Sequence, residues 1–127
     1  MPKIFCLLYA NLALQVFAIA QAPANDLCSN AITLVSAPSC TTTSGSLVNA
    51  TYTTTTGACG ASSGNRNDVW YRFTAHATQA TVNISGALAD ARFQIYSNTC
   101  GTPASLFCSS GPSAAFSGLT PGTLYLI

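Results

Sequence analysis

Apolar and polar residues alternate over short stretches along most of the chain, and a period of two is typical of β-strands with one buried face. The clearest stretch is 68–75 (DVWYRFTA), in which Val69, Tyr71 and Phe73 share one face and the even-numbered residues share the other. The remaining predicted strands are 31–36, 47–56, 79–85, 90–97, 106–109, 114–118 and 123–127.

Turn residues separate these strands, and no stretch beyond the N-terminal region shows the 3.6-residue period of a helix. Short strands with regular turns indicate an all-β fold. Because each alternating strand buries one face, two sheets must pack against each other. The sequence therefore predicts an antiparallel β-sandwich that is jelly-roll-like in topology.

The last predicted strand, 123–127 (TLYLI), stops at an apolar residue. A strand that stops in this way leaves apolar side chains and pairing groups uncovered. We therefore expect a fragment in which the C-terminal strand is incomplete and further sequence completes it.

The N-terminal region has the layout of a secretory signal peptide. Lys3 precedes a mostly apolar run over 4–20, and the run ends in the small-residue pattern Ala-Ile-Ala at 18–20. Residues 1–20 are therefore predicted to be a cleaved signal peptide and residues 21–127 the β-sandwich domain. An uncleaved membrane anchor is the alternative, but polar residues interrupt the run, and a span needs about 20 apolar residues. The predicted location is extracellular or at the cell surface, without a membrane segment after cleavage.

Charge is scarce, with 6% of residues charged, and the predicted mature domain balances three arginines against three aspartates. Low charge combined with many β-branched residues argues against disorder. The domain lacks the basic stripe that a nucleic-acid-binding surface needs. It also lacks a polybasic patch for an anionic membrane. Neither nucleic acid nor a membrane surface is therefore a predicted partner.

Five of the six cysteines lie beyond the predicted signal peptide, and secreted cysteines usually oxidise to disulfides. Cys100 and Cys108 are predicted to pair with each other, because they bracket a short loop that contains Gly101 and Pro103. The partners of Cys28, Cys40 and Cys59 stay open, and the odd cysteine is either free or bonded outside this sequence. Zinc is the alternative, but no CxxC spacing occurs and the chain has a single histidine.

Candidate chemistry is sparse. His76 is the sole histidine and follows the 68–75 strand, where a turn is expected, so the chain offers no base, nucleophile and acid set and is predicted not to be an enzyme. No cofactor is predicted; calcium held by Asp68 and Asp90 is the alternative left open. Trp70 and Tyr96 could stack on a sugar ring if they were exposed, although aromatic residues in strands usually pack in the core.

A family resemblance rests on four motifs in a fixed order. They are 25–32 (NDLCSNAI), 68–73 (DVWYRF), 93–97 (FQIYS) followed by 100–101 (CG), and 118–125 (GLTPGTLY). Together they resemble the repeated extracellular β-domain of secreted and surface proteins from Bacteroidetes-type bacteria. That domain is similar to the bacterial pre-peptidase C-terminal domain, and many of its parent proteins use type IX secretion.

The resemblance implies a non-catalytic accessory domain that positions or stabilises a neighbouring module, so downstream domains of the same polypeptide are the predicted partners. A carbohydrate- or surface-binding, adhesin-like module is the alternative, with glycans or surface components as partners. Family members often carry acidic residues after the second cysteine of the late pair. Here Ser109 and Ser110 follow Cys108, so no cation site is expected in that loop.

Overall fold

The computed structural model describes residues 20–53, 59, 67–86, 91–97 and 99–127. The predicted signal peptide, apart from Ala20, lies outside these residues, as does Asp90. Within them the chain forms seven strands and one short 3-10 turn at Cys28–Asn30. The strands are β1 (Ile32–Thr33), β2 (Tyr71–Thr74), β3 (Gln79–Asn83), β4 (Gln94–Ser97), β5 (Ala104–Cys108), β6 (Ser113–Ser117) and β7 (Leu124–Leu126). The predicted all-β class is confirmed.

The strands form two sheets. One has five strands in the order β1-β2-β7-β4-β5, and the other pairs β3 with β6. All pairs are antiparallel except β1 with β2, which run parallel. A parallel pair needs a connection of a dozen or more residues, and the segment between Thr33 and Tyr71 is long enough to supply it. The predicted strand at 123–127 is confirmed as β7, and it lies in the middle of the larger sheet. The expectation that further sequence completes this strand stays a prediction.

The main core lies between the two sheets. Ile95 is fully buried on the inner face of the larger sheet, and the Phe73 ring meets the Phe116 ring of the smaller sheet at 6.2 Å between centroids. The predicted alternation is confirmed here, because Ala80, Val82 and Ile84 all pack against this cluster. The buried members of the cluster are Phe73, Ala75, Phe93, Ile95, Phe116, Leu119 and Tyr125.

A second apolar cluster lies on the outer face of the larger sheet. It consists of Ala31, Trp70, Tyr96 and Leu126, with Cys28 packed against it. The segment around the 3-10 turn covers this half of the face, so part of the five-stranded sheet is buried on both sides. We call these residues the outer cluster.

The strand predicted at 47–56 is wrong over 47–53, where the chain forms no strand. Asn49 takes a left-handed conformation with φ of 61°, which breaks an extended run. Beyond it, the backbone N–H groups of Thr51 and Thr53 bond to aspartate side chains instead of to a strand. Loose alternation in a Thr-rich segment predicts an extended chain. It does not show whether the backbone N–H groups of that chain bond to a neighbouring strand or to side chains.

Candidate functional site

Asn25 fastens the start of the domain to the strand that carries Trp70. The backbone N–H of Trp70 donates to the Asn25 carbonyl at 2.8 Å, and the Asn25 side-chain amide donates to the Trp70 carbonyl at 2.9 Å. Asn25 is only 3% exposed, so both bonds are shielded from water. This pair of bonds therefore joins the first two of the four sequence motifs in space.

Two aspartates hold the segment 51–53 beside this anchor. The Asp26 carboxylate accepts bonds from the Thr51 backbone N–H at 2.6 Å and from the Thr51 hydroxyl at 2.8 Å. The Asp68 carboxylate accepts the same two groups from Thr53, both at 3.0 Å. We call these four residues the carboxylate clamp. In the clamp, side-chain bonds take the place of strand pairing for the backbone of Thr51 and Thr53. Charged acceptors make hydrogen bonds roughly twice as strong as neutral ones, so these bonds can hold the segment in place.

The pKa of Asp68 is raised above its ordinary value of 3.8. Burial is the largest cause, because it disfavours the charged form, and the negative charge of Asp26 adds to the effect. The two bonds from Thr53 oppose the shift by stabilising the carboxylate. The clamp therefore holds two like charges close together, at a cost in stability when both are ionised.

Replacing Asp68 with asparagine is expected to flatten the pH dependence of stability. Because the folded-state pKa of Asp68 lies above 3.8, the folded state binds the proton more tightly than the unfolded state. The contribution of Asp68 to the free energy of unfolding is therefore largest below pH 3.8 and falls as the pH rises through the raised pKa. Denaturant unfolding of both proteins across this range measures the difference.

The asparagine variant is a close match because its amide accepts from the Thr53 N–H and donates to the Thr53 hydroxyl. The chain has only three acidic side chains, so few other groups titrate in the same range. Parallel pH profiles for the two proteins would mean that Asp68 titrates alike in the folded and unfolded states.

Two disulfides are formed within the described part of the chain. Cys28 bonds to Cys100 with Cα atoms 5.6 Å apart, and Cys59 bonds to Cys108 with Cα atoms 5.3 Å apart. Cys40 is a free, exposed cysteine. The first disulfide ties the 3-10 turn to the β4–β5 connection, and the second ties Cys59 to the end of β5.

The predicted pairing of Cys100 with Cys108 is wrong. Four residues between them, 104–107, belong to the strand Ala104–Cys108, which rises about 3.3 Å per residue. The strand places Cys108 at the opposite end of β5 from the turn that carries Cys100, and each cysteine is bonded to a different partner. A short Gly/Pro loop in the sequence suggested a closed loop, whereas the loop is the turn of a hairpin whose far end carries Cys108.

Trp70 and Tyr96 do not form a sugar-stacking surface. They are 3% and 6% exposed, and their ring centroids lie 5.6 Å apart inside the outer cluster. The Trp70 indole N–H also points to the Thr53 hydroxyl at 3.4 Å. The expectation that aromatic residues in strands pack in the core is confirmed, and the alternative of sugar stacking fails because the N-terminal segment and the carboxylate clamp cover both rings.

Ser109 has a structural role that the sequence did not suggest. It is 1% exposed, its hydroxyl accepts a bond from the Phe93 N–H at 2.7 Å, and its own N–H donates to the Phe93 carbonyl at 2.9 Å. Ser109 thus extends the β4–β5 pairing by one residue beyond Cys108. Among the described residues, no group of three potential metal ligands comes together.

One half of the outer face stays open. Thr33, Arg72 and Thr74 are exposed on β1 and β2, and Leu124 of β7 lies opposite Thr74 at 45% exposure. The Arg72 side-chain Nε donates to the Thr33 hydroxyl at 2.9 Å. His76 is exposed in the bend between β2 and β3, two residues beyond Thr74. No described helix has the length and apolar character to cross a membrane.

Comparison with known families gives a match over most of the chain. The model of a family described as galactose binding domain-like, associated with type IX secretion (T9SS), matches residues 24–127. No curated protein and no solved structure matches the chain significantly. The matched region begins just before Asn25 and includes every described strand, both disulfides and the carboxylate clamp. The chain belongs to the T9SS-associated family of galactose-binding-domain-like β-sandwiches.

Proposed function

We propose that the chain is a non-catalytic accessory domain of a secreted or cell-surface multidomain protein, in which it positions or stabilises a neighbouring module. The family match over residues 24–127 is the observation that carries the proposal, because it associates the domain with type IX secretion. The two disulfides support an oxidising, extracellular location. We also propose that this domain is similar to the bacterial pre-peptidase C-terminal domain.

The size of the native secreted protein tests this function. An antibody raised against residues 21–127 should detect, in the culture medium or on the cell surface, a protein much larger than this domain. Deleting the domain from that protein should lower the amount or the activity of the remaining modules. Detection of a secreted species no larger than the domain itself would contradict the proposal.

A carbohydrate-binding module is the second candidate. The galactose-binding-like family description favours it, since that fold is named for a sugar ligand. With Trp70 and Tyr96 buried, such binding has to use other residues. A glycan panel that retains the secreted chain would support this candidate, and uniform lack of retention would contradict it.

A further inference from the structure

The open half of the outer face consists of two short rows of side chains across β1, β2 and β7. Arg72 lies beside Thr33, and Thr74 lies beside Leu124. Val35 extends the second row, because the backbone pairing continues past β1 with Leu34 N–H donating to the Arg72 carbonyl at 2.8 Å. Val35 is 69% exposed. We call Thr33, Val35, Arg72, Thr74 and Leu124 the open face.

Arg72 is the charged group of the open face, and it is held in place without being neutralised. Its Nε bond to Thr33 fixes the plane of the guanidinium, while its terminal nitrogens have no partner within the described part of the chain. A guanidinium with both terminal nitrogens available is the fork that matches a carboxylate in a bidentate pair. The complementary ligand group is therefore an oxyanion, and a carboxylate is the oxyanion that a sugar carries without esterification.

The size of the open face separates a sugar from a protein partner. Neighbouring strands lie about 4.8 Å apart and residues i and i+2 about 7 Å apart, so the two rows cover roughly 10 by 7 Å. A stable protein interface needs roughly 800 Å² on each partner, far more than this area. The open face fits one or two sugar rings.

We propose that the open face binds a carboxylated sugar, of the uronic acid class, within an acidic polysaccharide. Arg72 pairs with the sugar carboxylate, and the hydroxyls of Thr33 and Thr74 bond to ring hydroxyls. Val35 and Leu124 contact the apolar C–H side of the ring. This inference rests on the carbohydrate-binding candidate above, and it names the ligand class and the residues.

Binding of oligogalacturonate to the secreted chain, measured by calorimetry, tests the proposal against the methyl ester of the same oligosaccharide. The ester keeps the ring and its hydroxyls but removes the charge, so it should bind at least about tenfold more weakly. Arg72→Ala should lower oligogalacturonate affinity about ten- to a hundredfold. Arg72→Lys should lie between the two, because it keeps the charge without the fork.

Arg92→Ala is the matched control, since Arg92 is exposed, carries the same charge and precedes β4, outside the three strands of the open face. It should bind as the unaltered chain does, and thermal unfolding should show that all variants are folded. Equal affinity of Arg72→Ala and the unaltered chain would overturn the site while leaving a carbohydrate-binding module in place. Retention on no glycan at all would overturn that function and this site together. Binding of polyglutamate as tight as that of oligogalacturonate would overturn the sugar assignment in favour of charge alone.

Discussion

Replacing Cys28 and Cys100 together with serine is expected to lower the free energy of unfolding by about 4 kcal/mol. The bond joins residues 72 positions apart. A disulfide lowers the conformational entropy of the unfolded chain, and this effect grows with the length of the loop that it closes. Without the bond, the unfolded chain regains that entropy and the folded state becomes less stable. Small domains have total stabilities of about 5–15 kcal/mol, so this is a large share. Chemical denaturation of the oxidised protein and of the double variant measures it.

Cys40→Ser is the control within the same chain, because Cys40 is free and exposed and its replacement should leave stability within about 0.5 kcal/mol. A double variant as stable as the unaltered chain would show that Cys28 and Cys100 are not bonded. Peptide mapping of the oxidised protein then identifies the pairs directly, with Cys28–Cys100 and Cys59–Cys108 as the expected result.

Trp70→Ala is expected to destabilise the domain by about 3–5 kcal/mol. The side chain is 3% exposed, it packs against Tyr96 at 5.6 Å between ring centroids, and removing it leaves a cavity beneath the N-terminal segment. The Asn25 bonds to the Trp70 backbone are kept in the variant, so the loss comes from the ring. Thermal or denaturant unfolding measures the change.

Trp70→Phe separates ring packing from the indole N–H. It keeps most of the apolar contact and loses the long bond to Thr53, so it should cost about 1 kcal/mol. If Trp70→Ala kept the full stability and instead abolished binding to a glycan, the ring would be a ligand contact and the outer cluster would be assigned wrongly.

The alternation of apolar and polar residues predicted most of the strands of the fold. In the segment 68–75 the alternation correctly placed Phe73 towards one cluster and Trp70 towards the other, because the period of two fixes the face of each residue. The same alternation failed at 51–53, since Thr51 and Thr53 satisfy their backbone N–H groups through Asp26 and Asp68. Those aspartates lie 25 and 15 residues away, and no local pattern encodes such a contact.

The site residues show where prediction from sequence ends. Trp70 and Tyr96 were the aromatic candidates, but their exposure depends on whether the segment around Cys28 folds over them, which is a tertiary contact. The disulfide partners likewise depend on strand geometry rather than on spacing, as Cys100 and Cys108 show. In the sequence, Arg72 is one of the even-numbered residues on the second face of the 68–75 strand. Its importance comes from the neighbours that β1 and β7 bring across the sheet.

The central position of β7 has a consequence for the order in which the domain folds. β7 follows the other six described strands in the sequence, yet it pairs with both β2 and β4. During synthesis, therefore, the two halves of the larger sheet have no common partner until residues 124–126 have been made. Pairing between distant segments is slow, and the chain emerges with its sheet still divided. Until residues 124–126 are made, the domain therefore cannot close its larger sheet or complete the core cluster that Tyr125 joins.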